Sequence, residues 1–252
     1  MKSVILDKIT QLENDNNIRI LFACESGSRA WGFPSPDSDY DVRFVYAHPE
    51  DWYLSITEKQ DVVELPVNEV LDINGWDLRK AIRLAAKSNA VIFEWIQSPV
   101  VYQQAPEFVA RFNSIAPECF SPIAAMHHYL SQAKKKYEEC VSDEQVKLKR
   151  YMYCLRAVLS GLWIANRKTI PPMELIYLLD EMPDAGLKAK VASLISLKAT
   201  QAESYVHPHE ILLEQFLADS IAVCDSAASS LPSRKPDHAR LDEFFRKTIR
   251  TK

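Results

Sequence analysis

The chain of 252 residues lacks any apolar run that approaches the ~20 residues of a membrane-spanning helix. Its five cysteines are odd in number and scattered, and no two have the spacing of a zinc site. This pattern excludes a disulfide framework and predicts reduced thiols, which are typical of the cytoplasm. No internal repeat or low-complexity tract is present. We therefore expect a cytoplasmic globular protein with no membrane partner.

The sequence also lacks a basic excess, because its formal net charge is −4 at pH 7. That charge argues against broad, non-specific binding to nucleic acid, which needs many lysines and arginines to neutralise phosphates. Hydrophobic residues make up 47% of the chain and charged residues 25%, which are ordinary values for a globular protein. A chain of this length can bury a substantial core.

Apolar periodicity divides the chain into two parts. Short extended segments dominate residues 18–73, whereas beyond Pro117 the apolar residues recur at helical spacing. This order predicts an α+β fold, in which a domain of residues 1–116 with strands and helices precedes an all-helical domain of residues 117–252.

The most informative segment is residues 27–44, which read GSRAWGFPSPDSDYDVRF between two apolar strand-like runs. Alternate residues of a strand share a face, so Asp39 and Asp41 are expected to point the same way. Two adjacent carboxylates repel each other, and a divalent cation removes that repulsion. The turn at Gly27 and Ser28 offers N–H groups and a hydroxyl suited to phosphate oxygens. The combination points to phosphoryl or nucleotidyl transfer.

A third carboxylate would strengthen this interpretation, and Asp72 is the first candidate. It lies between two apolar residues in an extended segment, so its side chain is expected to face a cleft or solvent. The alternative is an exposed aspartate at the end of a strand. Glu64 and Glu69 are rival candidates for the third position.

Three sequence blocks resemble the RlaP/YcgL family of nucleotidyltransferases, within the DNA polymerase beta-type superfamily. The first block is residues 27–43, and the second comprises DINGWDLRK at 72–80 and FEWIQSP at 93–99. The third is KRYMYCLR at 149–156, followed by Trp163 and by IPP at 170–172. The resemblance implies a nucleotidyltransferase core with a mixed sheet and helices, followed by an all-helical domain.

The resemblance also implies an activity. A nucleoside triphosphate would donate a nucleoside monophosphate to a hydroxyl acceptor, with release of pyrophosphate, and the family's link to RNA repair makes an RNA 3′ end the first acceptor to consider. Two alternatives stay open. One is transfer to a protein or small-molecule hydroxyl, and the other is a nucleotide-binding protein without catalysis.

Roles for individual residues follow from this expected chemistry. Asp39, Asp41 and Asp72 would hold two Mg²⁺ ions, or Mn²⁺ in their place. Gly27 and Ser28 would bind the phosphates of the nucleotide. The two arginines that flank the acidic pair, Arg29 and Arg43, would either contact phosphates or neutralise the acidic cluster.

A helix in the second half contributes the last candidates. Lys149, Tyr153 and Arg156 are spaced three and four residues apart, so they share one stripe of that helix. A cationic and aromatic stripe can hold a triphosphate and stack a base. The alternative is an ordinary solvated helix face.

Overall fold

The computed structural model describes residues 1–65 and 70–251, so Glu69 lies outside the described residues. The chain forms two compact units whose segments alternate along the sequence. The first unit comprises Met1–Gly27, Asp39–Phe120 and Lys235–Lys252. The second comprises Ser28–Ser38 and Ser121–Arg234.

A mixed five-stranded sheet forms the centre of the first unit, in the order β3-β4-β2-β1-β5. The neighbours β2 and β4 are parallel, and the other neighbouring pairs are antiparallel. The strands are β1 (Arg19–Ser26), β2 (Tyr40–Ala47), β3 (Val62–Glu64), β4 (Leu71–Asp77) and β5 (Val101–Gln104).

In the part of the chain that the structure describes, seven helices begin in or belong to the first unit. They are α1 (Lys2–Asn16), α2 (Gly27–Trp31), α3 (Glu50–Tyr53), α4 (Leu78–Ala86), α5 (Ala90–Ile96), α6 (Pro106–Cys119) and α12 (His238–Arg250). The predicted turn at Gly27 and Ser28 is thus the first turn of the short helix α2, which continues into the second unit.

Local sequence explains how β4 passes into α4. Buried and half-exposed residues alternate along the whole of β4, which is the period of a strand with one face covered. Asp77 then ends the strand, and its side chain accepts a hydrogen bond of 2.8 Å from the N–H of Arg79. This side-chain cap satisfies one of the N–H groups that a helix start leaves without a partner.

The hydrophobic core of the first unit joins α1 to the sheet. Ile5, Ile9 and Leu12 lie on one face of α1 because they are spaced four and three residues apart, and all three are buried. They belong to one buried cluster with sheet residues such as Ile20 and Phe44.

The last helix, α12, also belongs to this unit. The ring of Phe244 lies 5.9 Å from that of Phe108 and 6.3 Å from that of Phe112, both on α6. Aromatic contacts at this distance stabilise a buried interface beyond the area that they remove from water. The end of the chain therefore packs on the first unit, and a division into two domains at residues 116 and 117 stays a prediction.

The second unit is mainly helical. Its elements beyond α2 are α7 (Pro122–Val141), β6 (Val146–Lys147), α8 (Leu148–Arg167), α9 (Leu175–Leu178), a 3₁₀ helix (Leu179–Glu181), α10 (Ala185–Lys198), β7 (Val206–His207) and α11 (Ile211–Ala228). The helices α7, α8 and α11 pack on one another, and most residues of α8 are buried. β6 and β7 form a short antiparallel pair.

The predicted fold class can be compared with this architecture. The predicted mixture of helices and strands, with a mixed sheet, is confirmed. In the described part of the chain, no helix is long and apolar enough to cross a membrane. All five cysteines are buried free thiols.

Candidate active site

Two of the three predicted carboxylates lie side by side in the first unit. The parallel pairing of β2 with β4 places Asp41 opposite Asp72. The guanidinium of Arg43 joins them, since its Nη2 atom lies 3.0 Å from Asp41 Oδ1 and 2.6 Å from Asp72 Oδ2. Both carboxylates are partly exposed. The fold thus brings together two acidic side chains that are far apart in sequence.

Arg43 is held firmly in this position. Its Nη1 atom donates hydrogen bonds of 3.0 Å to the backbone carbonyls of Val42 and Asp72. Asp41 and Arg43 are two residues apart on β2, so their side chains share a face of the sheet, where they form an ion pair. Of the two roles considered for this arginine, neutralising the acidic cluster is the one that corresponds to the observed contacts. A cation between two carboxylates offsets their mutual repulsion.

Gly27 lies against the same acidic pair. Its φ angle is +61°, a conformation that glycine adopts readily and other residues rarely adopt. A Cβ atom added at Gly27 would overlap Oδ2 of Asp41 and lie 3.0 Å from its Cγ. The absence of a side chain therefore allows the backbone at the start of α2 to approach the Asp41 carboxylate.

Glu25, which was not among the residues predicted from sequence, accepts a hydrogen bond from the backbone of Asp41. It is 1% exposed at the end of β1. One of its carboxylate oxygens accepts the N–H of Asp41 at 2.8 Å, and the other accepts the hydroxyl of Tyr102. A buried carboxylate is costly without such partners. The available signal was a glutamate that follows the apolar run at residues 20–24 of β1 and stands two residues before Gly27.

The remaining described acidic candidates, Asp39 and Glu64, also belong to the first unit. Asp39 is exposed and directly precedes β2. Glu64 is exposed on β3, where it accepts a hydrogen bond of 3.1 Å from Asn74. Across residues 1–65 and 70–251, no group of three or more His, Cys, Asp or Glu side chains is close enough to hold a metal ion. The participation of Asp39 in a metal site therefore stays a prediction.

The donor set suits a hard divalent cation. Asp41 and Asp72 already direct one oxygen each at a single positively charged nitrogen. Carboxylate oxygens are the ligands that Mg²⁺ prefers, and Mg²⁺ is commonly bound by one or two of them together with substrate phosphates. The two aspartates therefore fit the predicted metal. When a metal ion is bound, the Arg43 guanidinium would either remain beside the ion or move away from the two carboxylates.

In the second unit, Ser28 and Arg29 both form hydrogen bonds with Ser38. The Ser28 hydroxyl donates to Ser38 Oγ at 3.2 Å, and Arg29 Nη2 donates to the Ser38 carbonyl at 2.7 Å. Ser38 Oγ in turn donates to Glu203 at 2.7 Å. These bonds hold together the two ends of the segment that separates the glycine motif from the acidic motif.

Glu203 is the centre of a partly exposed polar cluster in the second unit. Lys149 donates to it at 3.0 Å, and Lys198, which is 2% exposed, lies 3.5 Å from it and donates to Ser35 at 2.8 Å. Burial lowers the pKa of Lys198, although the negative charge of Glu203 opposes that effect. Burial alone would raise the pKa of Glu203, but hydrogen bonds from Ser38 and Lys149 outweigh it and lower the pKa.

The three candidates on α8 do not stay together. Lys149 and Tyr153 both line a cavity of about 320 Å³. Arg156 is 3% exposed; its Nε atom donates to the Met173 carbonyl at 3.0 Å, and its guanidinium lies 4.4 Å from the Trp31 ring centroid. Arg156 thus packs against Trp31 and is not among the residues that line this cavity, and its part in nucleotide binding stays a prediction.

Comparisons with known proteins agree with the pattern of motifs. The model of a family described as "RlaP: RNA repair pathway DNA polymerase beta family" matches residues 1–247. The uncharacterized protein YcgL of Bacillus subtilis (strain 168) is 39% identical over 238 residues, which are 94% of this chain and 92% of that protein. A nucleotidyltransferase-like protein from Exiguobacterium sibiricum 255-15 has 10% identity and a TM-score of 0.32, over 98% of this chain and 80% of that chain. A TM-score this low supports no statement about fold or function.

Proposed function

Because this chain belongs to the RlaP family, a family of the DNA polymerase beta type, we propose that it is a Mg²⁺-dependent nucleotidyltransferase. It transfers a nucleoside monophosphate from a nucleoside triphosphate to a hydroxyl group and releases pyrophosphate. One observation carries the proposal, namely that Asp41 and Asp72, on adjacent parallel strands, share one cationic partner. The mixed sheet of the first unit would be the catalytic core.

Asp41 and Asp72, with Asp39 from the preceding segment, would hold the metal. Two Mg²⁺ ions, for which Mn²⁺ can substitute, neutralise phosphate charge and lower the pKa of an acceptor hydroxyl when they are bound. The carboxylates are suited to this role because they are hard oxygen ligands at a partly exposed end of the sheet.

The neighbouring residues of the first unit keep the carboxylates in place. Glu25 fixes the backbone of Asp41 by accepting its N–H, and Arg43 fixes both side chains through one nitrogen. Gly27 keeps the space beside Asp41 free of a side chain. Preorganised charges of this kind contribute much of the rate enhancement when a reaction develops charge on phosphate oxygens.

An RNA 3′ hydroxyl is the acceptor that we propose first, because the description of the family names an RNA repair pathway. One observation favours a different acceptor. The net charge of −4 gives the protein as a whole no general attraction for a polyanion, which suits a protein or small-molecule hydroxyl better.

A transfer assay distinguishes these acceptors. Each α-³²P-labelled nucleoside triphosphate is incubated with the protein and Mg²⁺, together with RNA, protein or small-molecule pools in separate reactions. We expect label to enter the RNA pool and to disappear with EDTA. Label in another pool would identify the alternative acceptor. Binding of the nucleotide without label transfer or pyrophosphate release in any pool would leave a nucleotide-binding protein and overturn the enzymatic proposal.

A further inference from the structure

A small cavity in the second unit has a concentration of positive charge. Its volume is about 320 Å³, and the residues that line it come from α7, β6 and α8. They are Lys136, Glu139, Lys147, Lys149, Arg150 and Tyr153. Four cations thus surround a single acidic side chain, in a protein whose net charge is negative.

Three of the four cations of this cavity each form an ion pair with one carboxylate, and Arg150 also donates to the backbone carbonyl of Glu139 at 2.8 Å. Lys136 lies 2.8 Å from Glu139, Lys149 lies 3.0 Å from Glu203, and Arg150 lies 2.6 Å from Asp143. Each of these side chains is at least partly exposed. Such ion pairs are weak, because water screens them and long side chains lose freedom when they form. A ligand with several negative charges can therefore compete for these cations.

Lys147 and Tyr153 complete the cavity in different ways. Lys147 is the last residue of β6 and is exposed. The residue before it, Val146, is fully buried and pairs with β7. The Tyr153 ring is held by edge contacts with Trp31 and Phe33, at centroid distances of 5.1 and 6.0 Å. The cavity therefore has a fixed aromatic wall beside cations that are anchored on regular elements.

We propose that this cavity binds an oligophosphate group, such as the di- or triphosphate of a nucleotide. Such a group carries several charges on a compact chain, so it can contact several of the four cations at once. A nucleic-acid backbone spreads single charges along a strand and is usually bound in an extended groove. The proposal deepens the proposed function, since the nucleotide substrate carries this group, but the binding itself does not require the carboxylates of the first unit.

Titration calorimetry of the full chain with inorganic tripolyphosphate, in EDTA and at low salt, tests the proposal. We expect saturable binding that Lys147→Gln and Lys136→Gln each weaken at least fivefold, and that Lys147→Arg preserves. The matched control is Lys135→Gln, which removes an equal charge from an exposed residue of α7 outside the cavity. The control should bind within twofold of the wild-type protein.

Three outcomes would overturn the proposal. One is the absence of binding, and another is an equal loss of affinity in Lys135→Gln, which would indicate non-specific attraction. The third is binding of a short single-stranded RNA with a 5′ hydroxyl, weakened by Lys147→Gln, under conditions in which tripolyphosphate does not bind. Circular dichroism of every variant checks that the fold is intact.

The same titration separates this proposal from the proposed function. Asp41→Asn should bind tripolyphosphate as the wild-type protein does, because the probe needs no metal in EDTA. If wild-type protein binds tripolyphosphate but transfers no nucleotide to any acceptor, the cavity stands and the enzymatic proposal fails. If the wild-type protein transfers nucleotide but does not bind tripolyphosphate, the enzymatic proposal stands and the cavity proposal fails.

Discussion

The strand β4 has an aspartate at each end, and the two aspartates have opposite surroundings. Asp72 is partly exposed, lies beside Asp41 and is held by Arg43. Asp77 is 1% exposed, caps α4 and accepts the hydroxyl of Tyr53 at 2.7 Å. One end of the strand therefore gathers charge where a ligand can approach, whereas the other uses a carboxylate to join a strand to a helix. Residue type alone does not distinguish these roles, but burial and partners do.

The largest effect on nucleotide transfer should come from removing a negative charge at the end of β4 that carries Asp72. Asp41→Asn and Asp72→Asn should each lower nucleotide transfer by about three orders of magnitude, because the metal loses an anionic ligand while the side-chain shape is kept. The transfer assay with labelled nucleotide measures this loss. The control is Asp7→Asn, at an exposed position of α1, which should transfer at the wild-type rate. Wild-type activity in either site variant would remove that aspartate from the mechanism.

Gly27→Ala should have the next largest effect. The added Cβ atom would overlap the Asp41 carboxylate and displace it, and a displacement of about 1 Å can lower a rate by about 10²-fold. The control is Gly32→Ala, because Gly32 also has a positive φ angle, +91°, but no atom lies within 4 Å of its added Cβ. Initial rates normalised to folded protein compare the two variants. Equal losses in both would assign the effect to backbone strain.

Glu25→Ala should lower transfer by about tenfold, because the backbone of Asp41 and the hydroxyl of Tyr102 lose a common acceptor. Glu25→Gln keeps an acceptor for the Asp41 N–H and should retain most of the activity. Steady-state rates at saturating Mg²⁺ test this ordering. If the glutamine variant were as impaired as the alanine variant, the charge of Glu25 would matter more than its position.

At the other end of β4, the expected effect is on stability. Asp77→Ala should lower the free energy of unfolding by about 2 kcal/mol, since α4 loses its cap and the Tyr53 hydroxyl loses its acceptor. Urea denaturation measures the change. Transfer per folded molecule should stay at the wild-type level, and a large loss of specific activity would contradict the separation between the two ends.

The smallest effect concerns pH. Burial raises the pKa of Asp77, although hydrogen bonds from Tyr53 and the Arg79 N–H oppose that rise. Between the ordinary aspartate pKa of about 4 and this higher value, the folded protein holds a proton that the unfolded chain has released. The free energy of unfolding contributed by Asp77 therefore declines as pH rises through that window.

A comparison with Asp77→Asn isolates this contribution, because asparagine keeps a capping oxygen but does not titrate. Urea denaturation across the window should show the wild-type protein losing stability relative to the variant as pH increases. A difference that does not change with pH would mean that Asp77 titrates alike in the folded and unfolded chains.

Much of the first unit could be predicted from local sequence. Strand alternation placed Asp41 and Arg43 on one face, as their ion pair now shows. The position of Asp77 at the start of a helix was also predictable, because an acidic residue before an apolar helical run is a typical cap. The apolar neighbours of Asp72 indicated its outward direction, but its position beside Asp41 depends on a parallel strand pairing that sequence alone did not give.

The features that local sequence does not give depend on contacts between residues that are distant in the chain. Glu25 is explained by Tyr102 on another strand, and no local pattern joins the two. The helical spacing of Arg156 was correct, but Trp31 and Met173 bury its side chain. The last helix joined the first unit through Phe244, whose aromatic partners lie far earlier in the chain. Periodicity identifies elements, whereas their partners decide which faces stay open.

Binding of Mn²⁺, followed by the electron paramagnetic resonance signal of the free ion, tests most directly whether Asp41 and Asp72 form the metal site. The wild-type protein should bind Mn²⁺ in the presence of nucleoside triphosphate. Asp41→Asn and Asp72→Asn should each weaken that binding at least tenfold, while Asp77→Asn, at the opposite end of β4, leaves it unchanged. Wild-type affinity in both Asp41→Asn and Asp72→Asn would contradict the account.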